Sequence, residues 1–99
     1  MKKKILLVCN AGMSTSILVR NMKQVAKDEG KEYEIEALPF EKGREQFPSA
    51  DVILIGPQVK FYEAQVKQAA PGKGVAVIPV QVYGLVDGKK AIELAESLF

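Results

Sequence analysis

One cysteine, Cys9, and no histidine occur in the 99 residues of this chain. A thiolate is both a strong nucleophile and a competent carrier of a transferable group, and Cys9 is the sole thiol that could play either part. It is followed by Asn10-Ala11-Gly12-Met13-Ser14-Thr15-Ser16, a stretch that combines a glycine with three hydroxyls. If this stretch leads from the end of a strand into a helix, its backbone N–H groups and the helix N-terminus converge on one point as an anion site. That field would favour the Cys9 thiolate and cradle a phosphoryl group on the sulfur with neutral donors. Ser14, Thr15 and Ser16 would add hydroxyls to the cradle or cap the helix, two roles that are compatible. The alternative is that Cys9 is a small buried hydrophobe closing a core strand, as free cysteines commonly are.

The same counts exclude other chemistry. A single cysteine permits no internal disulfide, no CxxC pair and no Cys-rich zinc site. Without histidine there is no Ser-His or Cys-His dyad, and no phosphohistidine can form on this chain. No cluster has metal-ligand spacing, so neither a metal nor a cofactor is expected. Glu32, Glu34 and Glu36 alternate, which marks a solvated strand face rather than paired catalytic carboxylates. Gly84-Leu85-Val86-Asp87-Gly88-Lys89-Lys90 has three residues between its glycines and a lysine at the hydroxyl position, so it is not a phosphate loop of the Walker type. Lys plus Arg is 14 against 12 for Asp plus Glu, a net charge of +2, and there is no tryptophan. Nucleic acid is therefore not an expected partner.

The elements that position Cys9 follow from the apolar pattern. Hydrophobic residues make up 47% of the chain, enough for one core over residues 1–99. Ile5 to Cys9 is a continuous apolar run, as a strand covered on both faces requires. It is too short to cross a membrane, and with an unpaired cysteine it points to a soluble cytoplasmic protein without direct membrane insertion. Ser14 or Thr15 is expected to cap a helix reaching Asp28, with Leu18, Met22, Val25 and Ala26 facing inward and Gly30 closing it. Tyr33 to Leu38 alternates as an edge strand does. Glu41 to Ser49 reads as a loop or one short helical turn. Asp51 to Gly56 is a second fully buried strand, followed by a helical pattern at Tyr62, Val66, Ala69 and Ala70. Val75 to Ile78 is the fourth strand. Asp87-Gly88 opens a last helix, with Ile92, Ala95, Leu98 and Phe99 on one side.

This alternation implies an α/β fold of three layers, a four-stranded parallel sheet flanked by helices on both faces, Rossmann-like and similar to low-molecular-weight tyrosine phosphatases. The first and third strands, being the most apolar, should be central. Ligands of such sheets bind beyond the carboxyl ends of the strands, where Cys9-Asn10-Ala11-Gly12 and Gly56-Pro57-Gln58 fall. Met13, Gln58 and Tyr83 are candidates for a partner-facing rim. Tyr83 would either bring a phenol near the Cys9 loop or pack as a strand-end core residue.

A phosphatase of the tyrosine-phosphatase type needs an arginine six residues after its cysteine to clamp phosphate, together with an Asp-Pro general acid. Thr15 stands at that position, the two arginines are Arg20 and Arg44, and no Asp-Pro occurs. The stretch Cys9 to Ser16 instead resembles the phosphorylation loop of enzyme IIB components in the lactose/cellobiose family of the bacterial sugar phosphotransferase system. Residues 50–58 and 83–88 resemble two further blocks of that family, in the same order. Asn10 stands where some relatives carry Ser, so its side chain is given no catalytic role.

The resemblance implies a phosphocarrier. A phosphohistidine on a IIA partner would donate to Cys9, with Asn10, Ala11, Gly12, Met13, Ser14, Thr15 and Ser16 as the cradle. Cys9 would then pass the group to a sugar held by the membrane component IIC, a β-linked disaccharide such as cellobiose, lactose or chitobiose. The donor histidine would belong to the partner, in keeping with its absence here. The rival readings are a low-molecular-weight cysteine phosphatase or arsenate-reductase-like enzyme, and a non-catalytic doubly wound binding domain.

Overall fold

The computed structural model describes residues 2–10 and 13–99, with Met13 described by its backbone alone. Four strands, β1 (Lys3–Val8), β2 (Tyr33–Leu38), β3 (Val52–Ile55) and β4 (Gly74–Val77), form a parallel sheet in the order β2-β1-β3-β4. The two most apolar strands are central, as expected. Val8 pairs with Ile55 and Ile55 with Val77, so three carboxyl ends finish level.

Burial on both faces explains the apolar runs. Ile5, Leu6, Leu7 and Val8 are all buried, and so are Val52, Ile53, Leu54 and Ile55. Alternate side chains serve opposite layers. Ile5, Leu7, Val52 and Leu54 pack under α1 (Met13–Asp28), α4 (Val80–Gly84) and α5 (Gly88–Glu96). Leu6, Val8, Ile53 and Ile55 pack under α2 (Phe40–Gly43), α3 (Glu63–Ala69) and the 3₁₀ turns Arg44–Ser49 and Pro57–Tyr62. On the edge strand β2, Ile35 is buried while Glu34 is exposed and Glu36 lies 3.9 Å from the Lys4 ammonium.

Helix α1 buries Leu18, Met22 and Ala26, one stripe at four-residue spacing. It begins at Met13, so Ser14 and Thr15 lie inside its first turn instead of preceding it. Thr15 is turned into the protein, where its hydroxyl is held by another side chain. The segment expected as a loop or one short helical turn, Glu41 to Ser49, is helical in two pieces because Phe40, Gly43 and Phe47 are buried at helical spacing among polar neighbours. Val66 in α3 and Ala70 just past its end are buried but Ala69 is exposed, and the helix starts only at Glu63 after a kinked 3₁₀ turn.

Helix α4 was not foreseen from the pattern. Pro79 supplies an extended N-cap for it, and Val82 and Tyr83 are its buried pair. Helix α5 opens as expected, the Asp87 carboxylate accepting the Lys90 N–H at 3.0 Å. Ala91, Ile92 and Ala95 face inward, whereas Phe99 falls beyond the helix end. Its ring meets Tyr33 edge-on at 5.5 Å and remains 46% exposed.

Candidate functional site

The level carboxyl ends of the strands set the site. Beyond β1, the Cys9 N–H still donates to the Leu38 carbonyl at 3.1 Å. The Gly56 N–H donates to Val8 and the Ile78 N–H to Ile55, both at 2.8 Å, so Cys9, Gly56 and Ile78 extend the sheet by one row. Gly56 has ordinary extended torsions, φ −61° and ψ 142°. What it supplies is space. A methyl group there would lie 3.5 Å from the Cys9 Cβ, 3.6 Å from the Val8 carbonyl and 3.3 Å from Gln58 Oε1. The two contacts beyond 3.4 Å are ordinary packing distances, so only the end of the exposed Gln58 side chain would have to give way.

Cys9 is only 4% exposed. Burial pushes its thiol up from the ordinary cysteine value, and a hydrogen bond with the Thr15 hydroxyl offsets part of that rise. The expectation of a field that favours the thiolate is thus reversed in the free protein, because removing the sulfur from water costs the anion more than the Thr15 hydroxyl returns. Thr15 is the one buried polar residue among the described residues, 2% exposed, and its Oγ1 is hydrogen-bonded to the phenol of Tyr83.

Tyr83 is 8% exposed, so it stands behind the rim, with its ring in the core and its hydroxyl reaching Thr15. It packs from within α4 and not at a strand end, and α4 turns its ring away from a partner-facing rim. Gln58 is exposed and suits a rim. Asn10, Ser14 and Ser16 are exposed beside the buried Thr15. Ala11, Gly12 and the Met13 side chain, all expected in the cradle and Met13 also at its rim, lie outside the described residues.

Two supports of this arrangement had no sequence signal. Asn21 on α1 donates its amide to the Val86 carbonyl at 2.9 Å. Val86 holds φ at +45°, a strained value for a β-branched residue, in the turn between α4 and α5. The next contact is backbone against backbone. A methyl group on Gly88 would fall 2.6 Å from the Asn21 carbonyl carbon and 2.8 Å from the Met22 nitrogen, so only glycine lets α5 start against α1. Helix α4 also shows Val80 and Leu85 to solvent, 72% and 75% exposed. A groove of about 470 Å³ runs past Gln81, Val82, Leu85 and Lys90; Cys9 and Thr15 are not in its lining.

Neither arginine occupies a clamp position. Arg20 is exposed on α1, and Arg44 lines a shallow depression with Phe40, Gln65 and Gln68 on the α2–α3 side. Among the described residues, no three Cys, Asp or Glu side chains are grouped to hold a metal, and no helix is long and apolar enough to cross a membrane.

Comparison with known proteins agrees with this geometry. Residues 4–94 match the family described as the lactose/cellobiose-specific IIB subunit of the phosphotransferase system. The chain is 47% identical to the oligo-beta-mannoside-specific EIIB component of Bacillus subtilis, the match covering 97% of this chain and 95% of that one. It is 42% identical to the cellobiose-specific EIIB component of Lactococcus lactis, with the same coverage of both. Among solved structures it resembles the cellobiose-specific IIB component of Borrelia burgdorferi, with a TM-score of 0.83 and 33% identity, over 98% of this chain and 91% of the other.

Proposed function

Because the chain belongs to the lactose/cellobiose-specific IIB family of the sugar phosphotransferase system, and is therefore a phosphotransferase, we propose that Cys9 is the atom-bearing residue of its relay. The observation that carries this reading is the position of the sulfur. It lies one residue past the central strand β1, at the level carboxyl ends, within reach of a buried hydroxyl from the first turn of α1. Residues 1–99 act as one IIB domain.

Membership of the family implies that the donor is a phosphohistidine of a IIA partner, in keeping with the absence of histidine from this sequence. The Cys9 sulfur attacks phosphorus in line with the departing imidazole. A P–S bond forms as the P–N bond breaks, and the thiol proton ends on the freed imidazole nitrogen. The second step reverses the roles. A sugar hydroxyl oxygen, presented by the membrane component IIC, attacks phosphorus; the P–S bond breaks, and the hydroxyl proton returns to sulfur. In both steps the protein's contribution is positioning and the stabilisation of charge on the equatorial oxygens, by the Thr15 hydroxyl and the residues from Asn10 to Ser16. Burial covers the thiol and favours its protonated form in the free protein. Transfer takes place in the cytoplasm, and the sugar is a β-linked di- or oligosaccharide, the class in the names of the two EIIB relatives.

The absence of an arginine clamp keeps the phosphocysteine from being hydrolysed rapidly and preserves its transfer potential. Incubation with phosphorylated IIA should give a single acid-sensitive phosphoryl adduct on the Cys9 peptide by mass spectrometry. Cys9→Ser should abolish transfer to sugar while the protein stays folded. Phosphate reaching the sugar through that variant, or no adduct on the peptide with IIA fully charged, would overturn the assignment.

A further inference from the structure

We propose that Gln58 is the contact that the β3 side of the site makes with the phosphoryl group on Cys9, its side-chain amide donating to a phosphoryl oxygen beside Gly56. This role rests on the carrier reading of Cys9 and gives a rim residue a part in holding the transferred group.

Sheet register puts the two residues on one side. Val8 pairs with Ile55, and both face the layer under α2 and α3. Cys9 and Gly56 follow them by one residue, so alternation sends the Cys9 side chain, and any side chain on Gly56, to the opposite face. The Gly56 N–H bond to the Val8 carbonyl, 2.8 Å, holds the strands in register there. The point that a methyl group on Gly56 would occupy lies 3.5 Å from the Cys9 Cβ and 3.3 Å from Gln58 Oε1. One methyl-sized volume thus lies between the base of the Cys9 side chain and the end of Gln58. The backbone around Gln58 is tied down, because the Val59 N–H donates to the Gly56 carbonyl at 3.0 Å, while the side chain stays exposed.

The amide suits both states of the sulfur. A thiol has a hydrogen to donate, whereas phosphoryl oxygens carrying charge only accept. Gln58 ends in one carbonyl and one NH₂, on a terminal torsion that is broad and two-fold, so a half-turn exchanges them. In the free protein the carbonyl oxygen is the atom beside Gly56. With phosphate in place, the half-turn presents the NH₂. The phosphoryl group extends Cys9 by two further bonds, and a hydrogen bond of about 2.9 Å spans the remainder. Neutral donors have to meet the phosphoryl charge. Among the described residues in the five positions that follow each strand, only Glu41, Lys42 and Lys60 are charged, and all three are exposed. The stretch from Asn10 to Ser16 approaches from β1, so Gln58 closes the opposite side.

Gln58 is exposed, and its variants are therefore expected to keep the fold. Gln58→Met preserves length and removes the donor; Gln58→Glu preserves shape and puts an anion in its place. Parent and variants are loaded with excess phosphorylated IIA, and the ³¹P resonance of the Cys9 adduct is followed against pH. The amide favours the doubly charged phosphoryl group, so the parent should have the lowest midpoint of the three. Gln58→Met should weaken the apparent acid constant about threefold and Gln58→Glu about tenfold. A Gln58→Met midpoint that superposes on the parent would overturn the contact whatever Gln58→Glu does, because a nearby charge acts without a hydrogen bond. A parent that takes no phosphate from charged IIA would refute the carrier reading and this contact with it. A parent that takes phosphate, with Gln58→Met titrating as the parent does, would refute the contact alone.

Discussion

Under α2, α3 and the two 3₁₀ turns, the sheet is sealed by apolar and aromatic side chains, with Phe40 stacked on Tyr62 at 4.4 Å and edge-on to Phe47 at 6.1 Å. Under α1, α4 and α5 the layer is equally apolar at its centre, around Leu18, Met22 and Ile92, but its upper end finishes in the Thr15–Tyr83 hydroxyl pair. Its lower end finishes in a cluster where the Lys31 ammonium and the Tyr33 phenol each lie 2.5 Å from Glu96. The same strands feed both layers, so the difference lies in the helices. The dry layer is closed by apolar packing throughout, whereas the other layer ends in polar contacts between side chains. A change in the first should cost stability without altering Cys9, and a change in the second should alter both.

The sharpest separation should come from Phe47→Ala. Phe47 is the largest fully buried side chain of the dry layer, so its truncation should lower unfolding free energy by about 3–5 kcal/mol in urea. The Cys9 titration of the folded fraction should not move. A shifted midpoint would erase the contrast between the layers. Gly88→Ala should cost about 1–3 kcal/mol, because its methyl group meets α1 backbone that has no slack. Here the Cys9 midpoint should move as well, since α4 is displaced from α1. Lost stability with an unchanged midpoint would mean that the Val86 turn does not position Tyr83.

Smaller effects should appear at the extremes of pH. Lys31 and Tyr33 hold the Glu96 carboxyl below its ordinary value. Its contribution is present above the ordinary glutamate range and is lost as pH falls through the folded value, so Glu96→Gln should flatten the acid side of a stability profile. Tyr33 is pushed up to about 12, first by burial and then by Glu96. Cys9 is also raised, by burial. Both groups are favoured neutral in the folded state, so stability falls as pH rises above their ordinary values toward the folded ones. Cys9→Ala should remove the earlier part of that alkaline loss and Tyr33→Phe the later part. An alkaline limb unchanged by both variants would show that burial of these two groups does not set it.

Much of this was legible in the chain because burial leaves a pattern. The unbroken apolar runs at Ile5–Val8 and Val52–Ile55 predicted central strands, and the alternation at Tyr33–Leu38 predicted an edge. What escaped was short or long-range. Helix α4 has five residues, too few for a helical period to emerge from Val80-Gln81-Val82-Tyr83-Gly84. Phe40 and Phe47 anchor helical turns through a stretch whose other residues are mostly polar. Cys9 stands at the strand end that its apolar run predicted, but its near-complete burial was not legible there. Local sequence shows the donors near a thiol but not how thoroughly the rest of the fold removes it from water. The Thr15–Tyr83 and Asn21–Val86 contacts join segments more than sixty residues apart, and no local spacing encodes them.

The cover over Cys9 has a bearing on durability. Peroxide and other small oxidants attack the thiolate, and a sulfur that is 4% exposed and disfavoured as an anion offers little of it. A chain with one cysteine has no second thiol with which to form an internal disulfide and recover from sulfenic acid. For the role proposed for Cys9, that shielding preserves an atom for which the chain holds no replacement.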